Sequence, residues 1–211
     1  MNFPIPYHGL FVAVAGGFAV IWVGNLLTVG ASRATFYTRA EGPATAAVRL
    51  VLLTASLAGI ALYCIDPDLM GWAALPLPRT LRMASFFLSL AALLLFYRVL
   101  RALGRNFSTS LAIKESQTLV VGGPYRLVRH PMYTAFVALW IGYFGLSADW
   151  FIGLTGLSGL FLTIAIRTPK EEKMMIDRFG EDYRAYMERT GRYLPRLPSG
   201  HGEGRPRPCR K

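Results

Sequence analysis

The chain has 211 residues, of which 53% are hydrophobic and 17% charged, with a formal net charge of +11 and a mean hydropathy of +0.37. Such a charge on a soluble chain would suggest nucleic acid, but this composition is that of a membrane protein and the cations gather beside apolar runs, which points to orientation in a bilayer instead. Cys64 sits in an apolar run, Cys209 in a polar tail, and His8, His130 and His201 are far apart with no HExxH or CxxC, so neither a disulfide framework nor a metal site is expected.

A hydrocarbon core of about 30 Å takes roughly 20 apolar residues at 1.5 Å rise each. In chain order, Met1 to Gly9 has no cationic region and the apolar run after it is too long for a cleavable signal peptide, so the first helix, Leu10 to Val29, is expected to remain. Further helices are predicted at Ala44 to Ile65, Leu81 to Leu100, Met132 to Leu146 and Trp150 to Ile166. The last two are short for independent spans and only Ser147, Ala148 and Asp149 separate them, so they read as a tight helical hairpin. The expected fold is all-α: a polytopic integral membrane protein of about five transmembrane helices with a helix 4/5 hairpin and a cytoplasmic amphipathic C-terminal helix. One domain should cover 1–198, and residues 199–211, dominated by Gly, Pro and Arg, read as a disordered, dispensable basic tail. No long internal repeat is evident, which weighs against inverted-repeat transporter designs.

Arg33 and Arg39 follow the first helix; Arg98, Arg101, Arg105, Lys114, Arg126 and Arg129 follow the third; and the segment from Arg167 onward holds most of the rest. In a five-span chain these fall on one side, opposite Asp66, Asp68 and Asp149, so the positive-inside rule gives N-terminus out and C-terminus cytoplasmic. Arg49, Arg79 and Arg82 lie near helix ends and can snorkel. The setting expected from these short loops is a bacterial inner membrane.

Between the third and fourth helices, Arg101 to Pro131 is long for a simple connection. Ile113, Leu119, Val120 and Val121 argue for order, and Gly122-Gly123-Pro124 is a turn signal. Arg129-His130-Pro131 then opens the fourth helix, with Pro131 in the first turn where a missing N–H costs nothing. The free amides and dipole there favour an anion, and His130 and Tyr133 bring hydrogen-bonding groups to the same place. A satisfied interfacial His130, and Arg126 and Arg129 as plain membrane anchors, are the simpler alternatives.

In the fifth helix Gly153, Gly156 and Gly159 recur every third residue. Close helix packing is the favoured reading, with a face for a ligand or lipid tail as the alternative. Beyond it, Met174, Met175, Ile176 and Phe179 form an apolar stripe, Gly180 ends or interrupts the helix, and Tyr183, Tyr186 and Met187 continue an amphipathic face. This tail should lie along the membrane or pack on the long loop. Glu171 and Glu172 lie within about one turn of the membrane end of the helix; Arg167 and Glu171 share a face if the helix survives Pro169.

At these residues the chain resembles the isoprenylcysteine carboxyl methyltransferase family and, more distantly, the membrane phospholipid N-methyltransferases. The resemblance covers roughly residues 103–195: GGPYRLVRHPMY from Gly122, then Arg167, the glutamate pair at Glu171 and FGEDYRAY from Phe179. It implies an S-adenosylmethionine-dependent methyltransferase without a Rossmann domain, its cofactor at the cytoplasmic membrane face. It implies cofactor contacts from the backbone around Leu119 to Gly123 and from Tyr125, His130, Pro131, Tyr133 and Glu171, and catalytic roles for Arg167 and Glu171.

Methyl transfer from a sulfonium is an in-line displacement that needs alignment and a bare nucleophile rather than a metal. Arg167 could steer a carboxylate or thiolate, and Glu171 could bind the cofactor ammonium or orient Arg167; an amine acceptor would need Glu171 or His130 to take its proton. An Arg167–Glu171 pair that only ties the fifth helix to the tail is the alternative. The expected acceptor is a lipophilic small molecule, lipid or lipidated substrate, carboxylate or thiol, with phospholipid amine methylation as runner-up. A non-catalytic membrane binding or transport protein is the reading from outside enzymes. Membrane lipids are the expected surroundings, nucleic acid is not an expected partner, and the sequence leaves the oligomeric state open.

Overall fold

The structure is a computed structural model that describes residues 7–29, 43–104 and 118–196. Arg33, Arg39, Arg105, Ile113, Lys114, His201, Cys209 and the whole tail 199–211 lie outside the described residues. Its elements are α1 (Tyr7–Val29), α2 (Pro43–Ile65), α3 (Arg79–Leu103), α4 (Pro131–Ser147) and α5 (Trp150–Arg189), with short 3-10 segments at Pro67–Ala73 and Gly123–Arg126. There is no strand among the described residues, and α1, α2, α3 and α5 are long and apolar enough to cross a membrane. The chain is therefore an all-helical, polytopic integral membrane protein. At 17 residues α4 is shorter than these four.

The predicted apolar runs match the observed helices to within a few residues at most ends. The exception is α5, which runs through Pro169 to Arg189 instead of stopping near Ile166. A helix-interior proline removes one backbone bond, but here the flanking turns are held by packing. Thr168 beside it is 1% exposed and its Oγ1 accepts from the Tyr193 hydroxyl at 2.8 Å. An interruption is found where Gly180 led one to expect it: its φ of 53° and ψ of −125° are non-helical and suit a residue without a Cβ.

The apolar windows of α1 and α2 are only 11% and 17% buried, against 39% for α3 and α5, so α1 and α2 are peripheral and largely lipid-facing. α3 packs most extensively on α4, and α2 on α5. Small residues make the first contact possible: a Cβ at Gly142 would strike the Ser89 hydroxyl and stand 3.1 Å from the Ser85 carbonyl, and one at Gly145 would strike the Ser85 hydroxyl. Gly142→Val should therefore cost about 1–3 kcal/mol of stability, read as a lower unfolding midpoint in detergent. Gly24→Ala is the control, having nothing within 4 Å; equal midpoints for the two variants would contradict the close α3–α4 approach. Along α5, Gly153 faces Phe144, Gly156 faces Trp140 and Gly159 faces Leu52 and Leu53, which is the close-packing role.

One end of the bundle is closed by polar contacts. Ala148 in the left-handed conformation and Asp149, whose carboxylate accepts from the Ile152 amide at 2.8 Å, join α4 to α5. Arg82 does not snorkel outward: its Nε and Nη2 donate to the Leu146 carbonyl at 3.1 and 2.8 Å, and its guanidinium lies 3.9 Å over the Tyr7 ring. It caps the C-terminus of α4, where a cation is favoured. The other end holds the motif residues.

Candidate functional site

The residue before a proline is pushed away from helical torsions, and His130, at φ −122° and ψ 59°, is the last non-helical residue before α4. Pro131 occupies the first turn of α4 as the sequence requires. Ahead of it, Gly123 takes φ +58° and, with Pro124, starts the 3-10 turn that brings Tyr125 and Arg126 round to Val128.

Two elements deliver the cluster. From the start of α4 come His130 and Tyr133; from one turn of α5 come Arg167, Glu171 and Glu172. The helix survives Pro169, so Arg167 Nε reaches Glu171 Oε1 at 3.2 Å, an i,i+4 pair. The Tyr133 hydroxyl donates to the same oxygen at 2.8 Å. His130 lies between the two carboxylates, Nδ1 3.7 Å from Glu171 Oε2 and Nε2 3.3 Å from Glu172 Oε1. The His130 ring is near-parallel to Tyr133, with centroids 5.7 Å apart. Four residues singled out in the sequence, His130, Tyr133, Arg167 and Glu171, thus converge across a gap of about forty positions.

The two glutamates differ in environment. The Glu171 side chain is 25% exposed and that of Glu172 6%. Burial alone would raise the Glu172 carboxyl, but hydrogen bonds from His130, Arg192 and Arg129 outweigh it and hold the group at about 2. Glu172 is an anion at any physiological pH.

Tyr125 joins from one side: its carbonyl accepts from the Tyr186 hydroxyl at 2.6 Å, tying the turn to the last part of α5. Gly123 lies on the α3 side, where its Cβ position is 3.6 Å from Ala102 and it lines a cavity of about 680 Å³ with Leu95, Arg98, Arg101 and Leu127. Leu119 is in the irregular stretch leading to the turn. No hydrogen bond among the described residues joins Leu119 or Gly123 to the His130–Glu171 cluster.

Sequence reasoning gave Arg129 a choice between site and anchor, and gave Arg192 and Tyr193 no role. Arg129 is no anchor: its side chain is 9% exposed, its Nε and Nη2 donate to Glu172 Oε1 at 3.2 and 3.1 Å, and its Nη1 donates to the carbonyls of Met187, at 3.0 Å, and Thr190. After α5, residues 190–193 run back beside the motif. The Arg129 amide donates to the Gly191 carbonyl at 2.8 Å, the His130 amide to Arg192 at 3.0 Å, and the Thr134 hydroxyl to Tyr193 at 2.8 Å. This segment straps the entry of α4 to α5. The position of Arg129 next to His130 was an available hint; nothing local flags Arg192, twenty residues beyond Glu172.

The family model for isoprenylcysteine carboxyl methyltransferases matches residues 83–177, which takes in α3, the motif, α4 and α5 through Glu171 and Glu172. A methanethiol S-methyltransferase from Pseudomonas deceptionensis is 37% identical over 79 residues, a match covering 37% of this chain and 29% of that protein. The chain thus spans under a third of that curated relative. The solved structure of the eukaryotic intramembrane Ras methyltransferase ICMT superposes with a TM-score of 0.55 at 17% identity, covering 88% of this chain and 67% of the other; that likeness speaks to the fold. Residues 83–177, the part similar to the isoprenylcysteine carboxyl methyltransferase family, hold His130, Tyr133, Arg167 and Glu171 together.

Proposed function

We propose that the protein is an integral-membrane methyltransferase that uses S-adenosylmethionine to methylate a lipophilic or membrane-associated thiol or carboxylate. The observation that carries the reading is the meeting of His130 and Tyr133 with Arg167 and Glu171 at a helix start beside the apolar bundle, within the residues that match this family. The name of the methanethiol relative favours a thiol. The positive-inside rule puts this end in the cytoplasm.

The residues present suit the cofactor. Glu171 keeps a quarter of its side chain open, enough for an ammonium to reach a carboxylate that Tyr133 and Arg167 hold still. The first amides of α4 suit a carboxylate, and Tyr133 and Tyr193 offer aromatic surface on either side of His130. When bound, S-adenosylmethionine supplies an electrophilic methyl group on a sulfonium. Arg167 fixes one anionic oxygen of Glu171 with Nε and has the rest of its guanidinium to steer an anionic acceptor. The Tyr133 hydroxyl keeps Glu171 from rotating away. The apolar helices around the site keep water from competing as nucleophile.

The test is a binding titration of purified protein with labelled S-adenosylmethionine, followed by a panel of thiols, carboxylates and amines added with the label to a membrane extract. Saturable binding and label transfer to a thiol or carboxylate are expected. No binding at cellular cofactor concentrations would sink the enzyme reading, and transfer only to amines would move it to the phospholipid type of reaction.

A further inference from the structure

Glu171 and Glu172 are adjacent but have unequal capacity for a ligand. An ionised carboxylate offers about four lone-pair sites. Glu172 Oε1 already takes Arg129 Nε and Nη2, Arg192 Nε at 3.1 Å and His130 Nε2, while Oε2 takes Arg192 Nη2. Five donor contacts thus crowd a side chain that is only 6% exposed, and at most one Oε2 lone pair is left. Three chain segments meet on this one group: the entry to α4, the body of α5 and the strap 190–193.

We propose that Glu172 is a positioning residue that, with Arg192, latches the strap onto α5 and holds His130 with Nε2 turned into the protein and Nδ1 turned toward Glu171. It makes no contact with cofactor or acceptor. An ionised carboxylate only accepts, so the His130–Glu172 contact requires the proton on Nε2. The nitrogen presented to Glu171 is therefore Nδ1. The strap secures the same orientation from the backbone side, through His130 N to Arg192 O, and through Tyr193, whose ring packs 5.8 Å from that of His130 while its hydroxyl donates to Thr168. Partners that orient a functional imidazole in this way commonly matter about tenfold or more when removed. The role of the latch in turnover rests on the proposed methyl transfer; its effect on His130 does not.

Arg192 is the useful handle, because its side chain is 48% exposed and its loss leaves Arg129 still paired with Glu172. Five proteins are compared in detergent: wild type, Glu172→Gln, Arg192→Ala, the double variant and, as the conservative rescue, Arg192→Lys. Nitrogen-15 spectra of the imidazoles, with His130 assigned from His130→Ala, should find Nε2 protonated in the wild type and its signal displaced in Arg192→Ala. Labelled S-adenosylmethionine should bind roughly tenfold more weakly to each single variant. The double variant should be no worse than either single, since both break one device, and Arg192→Lys should recover most of the loss. Should Glu172→Gln not fold, the Arg192 pair carries the test alone. A bare Nε2 in the wild type, or an Arg192→Ala protein indistinguishable from wild type in His130 signal and cofactor affinity, overturns the latch. Additive losses in the double variant assign Glu172 to the ligand directly and overturn it equally. If the wild type binds no cofactor, the methyltransferase reading fails while the His130 spectra still decide the latch.

Discussion

Arg167→Ala is expected to lower kcat/KM for methyl transfer by about 10²–10³-fold, the usual loss when one preorganised charge-bearing donor leaves a water-poor site. Arg167 holds Glu171 Oε1 at 3.2 Å from the same side chain that would face an anionic acceptor, so one truncation removes both acceptor steering and half the restraint on the carboxylate. Lysine at this position should restore only part of the rate, since an ammonium lacks the planar fork. The unfolding midpoint should hardly move, because an i,i+4 pair with both partners about a quarter exposed contributes only tenths of a kcal/mol. Steady-state kinetics and thermal unfolding on one preparation separate the outcomes. Unchanged kcat/KM would leave Arg167 as a tie between two turns of α5.

Arg129→Ala should be the most damaging change to stability, about 3–5 kcal/mol, because it strips the more buried of two arginines from a buried carboxylate. Both side chains are under a tenth exposed, and the guanidinium also satisfies the carbonyls of Met187 and Thr190, which would be left without that donor. Arg192 already pairs with both Glu172 oxygens, and no hydrogen bond among the described residues joins it to the two freed carbonyls. Arg126→Ala, three residues earlier and exposed, should stay within about 0.5 kcal/mol. Denaturant titration of the detergent-solubilised variants makes the comparison. A similar small effect for both would return Arg129 to the role of surface cation.

These two arginines mark the boundary of what could be read from the sequence. Apolar run length alone located the helix cores, and Pro131 and Gly180 punctuated the chain where such residues must. Pro169 left the continuity of the fifth helix open, because its local rule is real and only the packing around Thr168 and Tyr193 decides against it. His130, Tyr133, Arg167 and Glu171 were legible because their motifs are local, even though their meeting is not. Glu171 and Glu172 could not be told apart: neighbouring side chains on a helix diverge by about 100°, so one must turn inward, and only the tertiary fold decides which. Arg192 left no trace at all, since a polar residue after a helix end looks the same whether it reaches solvent or a buried carboxylate.

α4 is fixed at both tips: Arg82 grips the Leu146 carbonyl at one, and the strap grips His130 and Thr134 at the other. Its 17 residues amount to roughly 25 Å of helix, short of a typical hydrocarbon thickness of about 30 Å. A rod pinned at each end cannot slide to relieve that mismatch; it can only tilt, or thin the lipid around it. Any shift of α4 along its axis would therefore have to break one of these two grips, so the position of His130 over the α5 carboxylates is set from both ends of one short helix.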